Sequence, residues 1–280
     1  MSTAREQSVR VEARVVSADG TEIAFEQSGS GPAVVLVASA LADRSDTAKL
    51  AALLAQDFTV INYDRRGRGA SGDADAYAPD REVEDIAALI EHVGGSASLF
   101  GSSSGAVLAL RAAAAGVNVD RLALYEPPFV VAEGDAGPPR DLARQITALL
   151  AEGRHGDAVK YFMTKVQGMP GIAVTFMRCM PKTWANLTEL ARTLPYDIAV
   201  MGDTQQGEPL DAEEWKGATV RTRVLTGGRS PAAFQRAARA VTEILPQADH
   251  RTLPGLNHGA VVMAPKKIAP RITEFIKGRA

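Results

Sequence analysis

The sequence has little of several features that would narrow its class. It contains one cysteine, Cys179, so no disulfide can form within the chain. Charge of neither sign dominates, because Lys and Arg number 31 against 33 for Asp and Glu, for a formal net charge of -2. A chain without a basic excess is a poor candidate for nucleic-acid binding, and we expect no nucleic-acid partner.

Long hydrophobic runs are also lacking. The longest apolar stretch lies near residues 33–42, far short of the roughly 18 residues that a membrane span needs. Residues 1–14 lack the apolar core of a secretory signal. We therefore expect a cytoplasmic protein with no membrane partner. No cluster of His, Cys and carboxylate residues stands out, so we expect neither a metal nor an organic cofactor.

Short apolar strands alternate with amphipathic helices over most of the 280 residues. Strands are predicted at residues 10–16, 21–27, 33–38, 58–63, 96–101, 121–126, 220–228 and 250–255. Helical spacing of apolar residues is found at 47–56, 81–93, 105–116, 231–245 and 266–278. This alternation predicts a mostly parallel α/β sheet.

The alternation is interrupted once. Residues 126–141 contain four prolines and two glycines, and only helical patterns follow until the strands resume. We therefore predict an α/β core made of residues 1–129 and 214–280, with a helical cap, residues 130–213, inserted after the sixth strand.

A cluster of three serines follows the fifth predicted strand. Residues 101–105 match the pattern G-x-S-x-G with Ser103 at the centre. A strand that turns abruptly into a helix strains its central residue, and glycine two positions away on each side avoids a collision. Such a turn exposes the Ser103 hydroxyl and directs the Ser104 amide into the same space. The alternative is a polar turn that caps the helix, but the strand before and the helix after favour a nucleophile.

With this motif the chain resembles the α/β-hydrolase family. The resemblance rests on "AVVLVASAL", "VINYDRRGRGASGD", "GSSSG" and "LPGLNHG". In the second of these, six residues fit the family pattern, namely Asp64, Arg65, Gly67, Gly69, Ser71 and Gly72. The resemblance implies an α/β-hydrolase fold, with an eight-stranded, mostly parallel sheet and helices on both faces. Of the four histidines, it places the general base at His258 rather than at His92, His155 or His250.

In the family, an acid completes a catalytic triad with the serine and the histidine. The residue at the usual acid position of this chain departs from the common family pattern. Many relatives have G-x-x-D-P after the strand at 220–228, but here Ser230 stands at the acid position. A hydroxyl cannot stabilise an imidazolium as a carboxylate does. Some relatives, certain haloalkane dehalogenases among them, carry their acid at the end of the sixth strand, where this chain has Glu126. We predict Glu126 as the acid; the alternatives are a degenerate triad, or a Glu126 that only caps the next loop or pairs with an arginine.

The loop after the strand at 33–38, which in the family contributes to the oxyanion hole, also departs from the common family pattern. Relatives commonly have His-Gly where this chain has Ala38 and Ser39. Because the donors are backbone amides, those of Ala40 and Ser104 stay candidates for the oxyanion hole. The conformation of the loop is what the replacement leaves open.

These residues predict a serine hydrolase that cleaves a small, mainly apolar ester, lactone or thioester. The chemistry of dehalogenases and epoxide hydrolases is not expected, because it needs a carboxylate nucleophile. Apolar cap residues are candidates for substrate contact: Phe162, Met163, Phe176, Met177, Met180 and Trp184. Two alternatives remain, a cofactor-free lyase, cyclase or dehydratase, and an inactive ligand-binding protein. We expect a small-molecule substrate as partner, with a homodimer as one option for the oligomeric state.

Overall fold

The computed structural model describes residues 10–278. Eight strands form one sheet: β1 Val11–Val16, β2 Glu22–Ser28, β3 Ala33–Val37, β4 Thr59–Tyr63, β5 Ala97–Ser102, β6 Val119–Tyr125, β7 Thr222–Gly227 and β8 Ala248–Leu253. Their spatial order is β1-β2-β4-β3-β5-β6-β7-β8. Strand β2 is antiparallel to β1 and β4, and all other neighbours are parallel. The mostly parallel eight-stranded sheet is confirmed.

Twelve α-helices occur in the described residues: α1 Arg44–Leu54, α2 Pro79–His92, α3 Ser104–Ala114, α4 Leu142–Ala151, α5 His155–Lys165, α6 Gly171–Met177, α7 Pro181–Leu190, α8 Leu194–Met201, α9 Ala212–Trp215, α10 Ala232–Ile244, α11 Ala260–Met263 and α12 Pro265–Ile276. Helices α2, α3 and α10 contribute to the hydrophobic cluster on one face of the sheet. Helices α1 and α12 contribute to the cluster on the opposite face. Helices therefore cover both faces, as the family resemblance implies.

Strand β3 shows why the central strands read as continuous apolar runs. Val35 and Val37 belong to one cluster, and Val34 and Leu36 belong to the other. Successive side chains of a strand point to opposite faces, so a strand covered on both sides must be apolar at every position. All four residues are buried.

Helices α4 to α8 lie between β6 and β7 and share a third hydrophobic cluster. This cluster includes Phe162 and Leu194 from the helices, together with Ala40 and Leu41 from the loop after β3. The helices thus cover the carboxyl edge of the sheet. They fall within residues 130–213, but the division of the chain into a core and a cap at those boundaries stays a prediction, and residues 1–9 and 279–280 lie outside the described residues.

No helix in residues 10–278 has both the length and the apolar character that crossing a bilayer requires. The prediction that no secretory signal is present concerns residues 1–14, of which the first nine lie outside the described residues.

Candidate active site

Ser103 occupies a strained turn between β5 and α3. Its φ of 54° and ψ of -126° place it in a region that side chains avoid. A Cβ at Gly101 would lie 2.3 Å from the Gly105 carbonyl oxygen, and a Cβ at Gly105 would lie 2.4 Å from the Val37 carbonyl oxygen. Both glycines are therefore required by close backbone contacts, which is the physical reason expected for the motif.

His258 reaches this turn from the loop between β8 and α11. Its Nε2 lies 3.1 Å from Ser103 Oγ. The Phe234 ring stacks on the imidazole with centroids 4.7 Å apart, and the Tyr125 hydroxyl donates to the carbonyl of the preceding residue, Asn257, at 2.7 Å. The imidazole is therefore positioned from both β6 and α10.

Glu126 directly follows β6 and faces the other side of the imidazole. Its Oε2 lies 2.8 Å from His258 Nδ1, and its Oε1 accepts a hydrogen bond from the Gly227 amide at 2.6 Å. The carboxyl is fully buried. A carboxylate at Nδ1 favours the tautomer with hydrogen on Nδ1, which leaves the Nε2 lone pair to accept the Ser103 proton.

Ser230 stands where many relatives carry an acid, and it does not take part in the contacts of His258 described above. Ser230 lies in the turn after β7, where its amide donates to the Gly227 carbonyl at 3.1 Å. Its hydroxyl has no hydrogen-bond partner among the described residues. The carboxylate that meets His258 comes from the neighbouring strand instead.

The remaining three histidines lie away from Ser103. His92 ends α2. His155 begins α5, where its Nδ1 lies 3.1 Å from the carbonyl oxygen of Thr188 in α7. His250 on β8 lies 2.8 Å from the Thr226 hydroxyl, and burial lowers the pKa of its ring. Only His258 is brought to the serine.

Ala40 and Ser104 both line the space in front of Ser103. Ser104 is the first residue of α3, so its amide lies at the positive end of the helix dipole. Among residues 10–278, neither the Ala40 nor the Ser104 amide donates a hydrogen bond to another protein group. Both amides are free to bind an anion.

A cavity of 270 Å³ opens beside the serine. Of the predicted substrate-contact residues, only Phe162 lines it. Met163, Met177 and Trp184 pack within the third hydrophobic cluster, which helices α4 to α8 share. Phe176 and Met180 are 70% and 48% exposed. The structure does not bring these five side chains to the cavity, because they face the interior of that cluster or the solvent.

Other residues form the lining that sequence reasoning missed. Apolar lining comes from Pro128, Phe129, Val130, Leu142, Ile198, Met201 and Phe234. Three of these belong to the proline-rich stretch after β6, which marks a loop but gives no indication of which side chains face inward. Proximity to Glu126 in sequence was the one signal that could have pointed to Phe129.

A buried group of four charges lies behind the cavity. Arg65 binds Glu82 with two nitrogens and Asp197 with a third, and Arg68 binds the second oxygen of Asp197 at 2.7 Å. Burial alone would raise the pKa of Asp197, but the charges of Arg68 and Arg65 and the Ser104 hydroxyl lower it below its usual range. Asp197 is therefore an anion paired with two cations.

No group of three or more His, Cys, Asp or Glu residues suited to a metal ion occurs in residues 10–278. The groups that the structure brings together beside the cavity are the Ser103 hydroxyl, the His258 imidazole, the Glu126 carboxyl group and the amides of Ala40 and Ser104.

Comparison with known proteins also indicates an alpha/beta hydrolase. The sequence model of the Alpha/beta hydrolase family matches residues 34–271. The solved structure of an alpha/beta hydrolase from Sphaerobacter thermophilus DSM 20745 is 48% identical, with a TM-score of 0.86 over 94% of this chain and 99% of that one. A thermophilic esterase from Thermogutta terrifontis is 20% identical, with a TM-score of 0.70 over 96% of this chain and 99% of that one. At that identity the likeness shows the fold alone.

A curated relative matches over a shorter range. The uncharacterized hydrolase YraK of Bacillus subtilis (strain 168) is 36% identical over 95 residues, which are 32% of this chain and 35% of that protein. The match therefore spans about a third of the relative's length.

Proposed function

The chain belongs to the alpha/beta hydrolase family, and on that premise we propose that it is a serine hydrolase which cleaves a small, mainly apolar ester, lactone or thioester through an acyl-enzyme. The observation that carries the proposal is the hydrogen-bonded series from Ser103 to His258 to Glu126, at 3.1 and 2.8 Å. This is the order and spacing that acyl transfer by a serine requires.

In the first half of the reaction, Ser103 Oγ attacks the carbonyl carbon while His258 Nε2 takes the hydroxyl proton. The carbonyl oxygen gains the negative charge and is held by the amides of Ala40 and Ser104. Glu126 stabilises the imidazolium. When the tetrahedral intermediate collapses, the bond to the leaving group breaks and His258 delivers its proton to that group.

In the second half, a water molecule takes the place of the leaving group. His258 removes a proton from the water as its oxygen attacks the acyl carbon. Collapse of the second tetrahedral intermediate breaks the bond to Ser103 Oγ, and His258 returns the proton to the serine. The products are the carboxylic acid and the free enzyme.

The cavity supports a small and uncharged acyl group. Its volume is 270 Å³ and its lining is mainly apolar. Among the described lining residues there is no lysine or arginine, and the one carboxylate, that of Asp197, is already paired with Arg65 and Arg68. A substrate carboxylate would find no cation there, so we propose that neutral esters are preferred.

Labelling with a fluorophosphonate tests the proposal. The probe should modify the wild-type protein on Ser103, and Ser103→Ala should abolish both labelling and turnover of a short-chain ester. Ser102→Ala is the matched control, because Ser102 is the neighbouring serine at the end of β5 and should be dispensable for labelling.

Two outcomes would contradict the proposal and favour the alternatives. Turnover that survives Ser103→Ala would favour lyase, cyclase or dehydratase chemistry. Tight binding of a ligand without labelling and without turnover of an ester panel would favour an inactive binding protein.

A further inference from the structure

We propose that Arg68, held by Asp197, is a positioning residue that aims the Ala40 amide at the oxyanion. The inference rests on the proposed acyl-transfer function and adds residues that the triad does not include. It addresses the loop after β3, in which Ser39 directly precedes the proposed donor Ala40.

The first step of the argument is the geometry of one peptide group. Arg68 Nη1 donates to the Ser39 carbonyl at 2.7 Å and to the Ala42 carbonyl at 3.0 Å. The Ser39 carbonyl and the Ala40 N–H belong to the same peptide, and in a planar trans peptide they point in opposite directions. An arginine that holds the carbonyl away from the cavity therefore turns the N–H toward it.

The second step concerns the rest of this loop. Arg65 Nη1 lies 3.3 Å from the Ala38 carbonyl, so three carbonyls of residues 38–42 accept from the two guanidiniums. Leu41 in the same loop has a φ of 55°, which is costly for a leucine. A strained loop of this kind persists only when its surroundings hold it, and the arginines supply that hold.

The third step is the link between the two oxyanion amides. Asp197 Oδ2 accepts from Arg68 at 2.7 Å, while Oδ1 accepts from the Ser104 hydroxyl at 2.8 Å. Ser104 carries the other free amide. One carboxylate from helix α8 of the cap is thus connected to both donors, to Ala40 through Arg68 and to Ser104 directly.

The burial of the Arg68–Asp197 pair indicates a role other than stability. Arg68 and Asp197 are 1% and 2% exposed. Buried ion pairs contribute little net stability compared with apolar residues of similar size, so stability alone is a weak reason for their presence here. The fork of a guanidinium, with several donors in one plane, suits the task of binding two carbonyls and a carboxylate together.

The loop after β4, which carries Arg68, also provides a matched control. Arg66 is also 1% exposed and binds Asp85 with two nitrogens, at 2.8 and 2.7 Å. It makes no hydrogen bond to residues 38–42 among the described contacts. Arg66→Lys therefore disturbs a buried pair of the same kind without touching the oxyanion loop.

The experiment compares Arg68→Lys with Arg66→Lys. A lysine keeps the positive charge but cannot hold both carbonyls and the carboxylate. Loss of one oxyanion donor lowers kcat by about 10²–10³, so a misaimed donor should lower kcat by about 10- to 100-fold. We expect that loss for Arg68→Lys on a neutral ester with KM nearly unchanged, and kcat within about twofold of wild type for Arg66→Lys.

A second readout separates positioning from loss of structure. The rate constant for fluorophosphonate reaction with Ser103 should fall in parallel with kcat for Arg68→Lys, because the phosphoryl oxygen occupies the same hole. If Arg68→Lys fails to fold, Asp197→Asn compared with Asp85→Asn makes the same test. Equal losses of kcat in the Arg68 and Arg66 variants, or a rise in KM with kcat intact, would overturn the inference. Wild-type turnover that depends on Ser103 in the same assay shows that such a result counts against positioning and not against the proposed function.

Discussion

The two edges of the parallel sheet differ in how their turns reach positive φ angles. At the carboxyl edge, Leu41, Ser103 and Glu126 have φ values of 55°, 54° and 48°, and no other non-glycine residue in the described range 10–278 has a positive φ. That edge also has glycines at positive φ, among them Gly67 and Gly69 after β4. At the opposite edge of the described sheet, positive φ is found at glycine alone: Gly29 and Gly31 before β3, Gly94 and Gly95 before β5, and Gly116 before β6. Glycine adopts this conformation without steric penalty.

The difference shows where the molecule accepts strain. Each non-glycine residue at positive φ costs about 1–3 kcal/mol, and such residues persist where the side chain is needed. Two of the three, Ser103 and Glu126, belong to the proposed triad, and Leu41 follows the proposed donor Ala40 directly. Strained residues of the proposed site thus lower the stability of the fold at the carboxyl edge. The following changes test the comparison between the two edges.

The largest effect is expected from Ser103→Gly. Loss of the nucleophile should lower kcat/KM by at least about 10⁴, while the free energy of unfolding should rise by about 1 kcal/mol because the strain is relieved. Ester hydrolysis and chemical denaturation measure the two quantities. Gly94→Ala at the opposite edge is the control. It should leave kcat/KM unchanged and lower the free energy of unfolding, since Gly94 has a φ of 108° and open space around it. Equal destabilisation in both variants would mean that Ser103 stores no strain.

Glu126→Gln should have the next largest effect. An amide at this position supports the wrong imidazole tautomer and cannot stabilise the imidazolium, so kcat should fall by about 10³–10⁴ with the melting temperature little changed. Ser230→Ala, at the position where many relatives carry the acid, should keep kcat within about twofold. Near-normal turnover by Glu126→Gln would show that the acid lies elsewhere.

A smaller effect, on KM, should distinguish substitutions of two phenylalanines in the helices between β6 and β7. Phe162 lines the cavity, whereas Phe176 is 70% exposed. Phe162→Ala should raise KM for a short apolar ester by about tenfold, equivalent to about 1.4 kcal/mol of lost apolar contact. Phe176→Ala should leave KM within about twofold. Steady-state kinetics with acetyl and butyryl esters measure both, and equal effects would place the acyl site outside this cavity.

The smallest effect concerns acid stability. Because the folded-state pKa of Asp197 is lowered, its contribution to stability is present above the ordinary aspartate pKa of about 4 and is lost as pH falls through the folded value. The stability difference between wild type and Asp197→Asn should therefore be largest near neutral pH and shrink in acid. Urea denaturation at several pH values measures it. A difference that stays constant from pH 7 into acid would contradict the lowered pKa.

Most of the fold could be predicted from the sequence. Periodicity located all eight strands, because a strand such as β3, buried on both faces, must be apolar at every position. The serine turn was predictable for a related reason, since Gly101 and Gly105 are demanded by backbone contacts and not by a distant partner.

The lining of the cavity could not be predicted in the same way. Helix α6 has only seven residues, and its apolar residues occupy more than one face, with Val174 buried and Ile172 83% exposed. Which face turns inward depends on tertiary packing that no local pattern records. Asp197 was missed for the same reason, because its partners Arg65 and Arg68 lie more than a hundred positions earlier in the sequence.

Trapping of the acyl-enzyme tests the central claim most directly. Wild-type protein mixed with a p-nitrophenyl ester of a short acyl chain and quenched in acid during the first turnover should gain the mass of the acyl group, located by peptide mass spectrometry at Ser103. Release of p-nitrophenol with no acyl mass on Ser103 at any quench time would contradict the account.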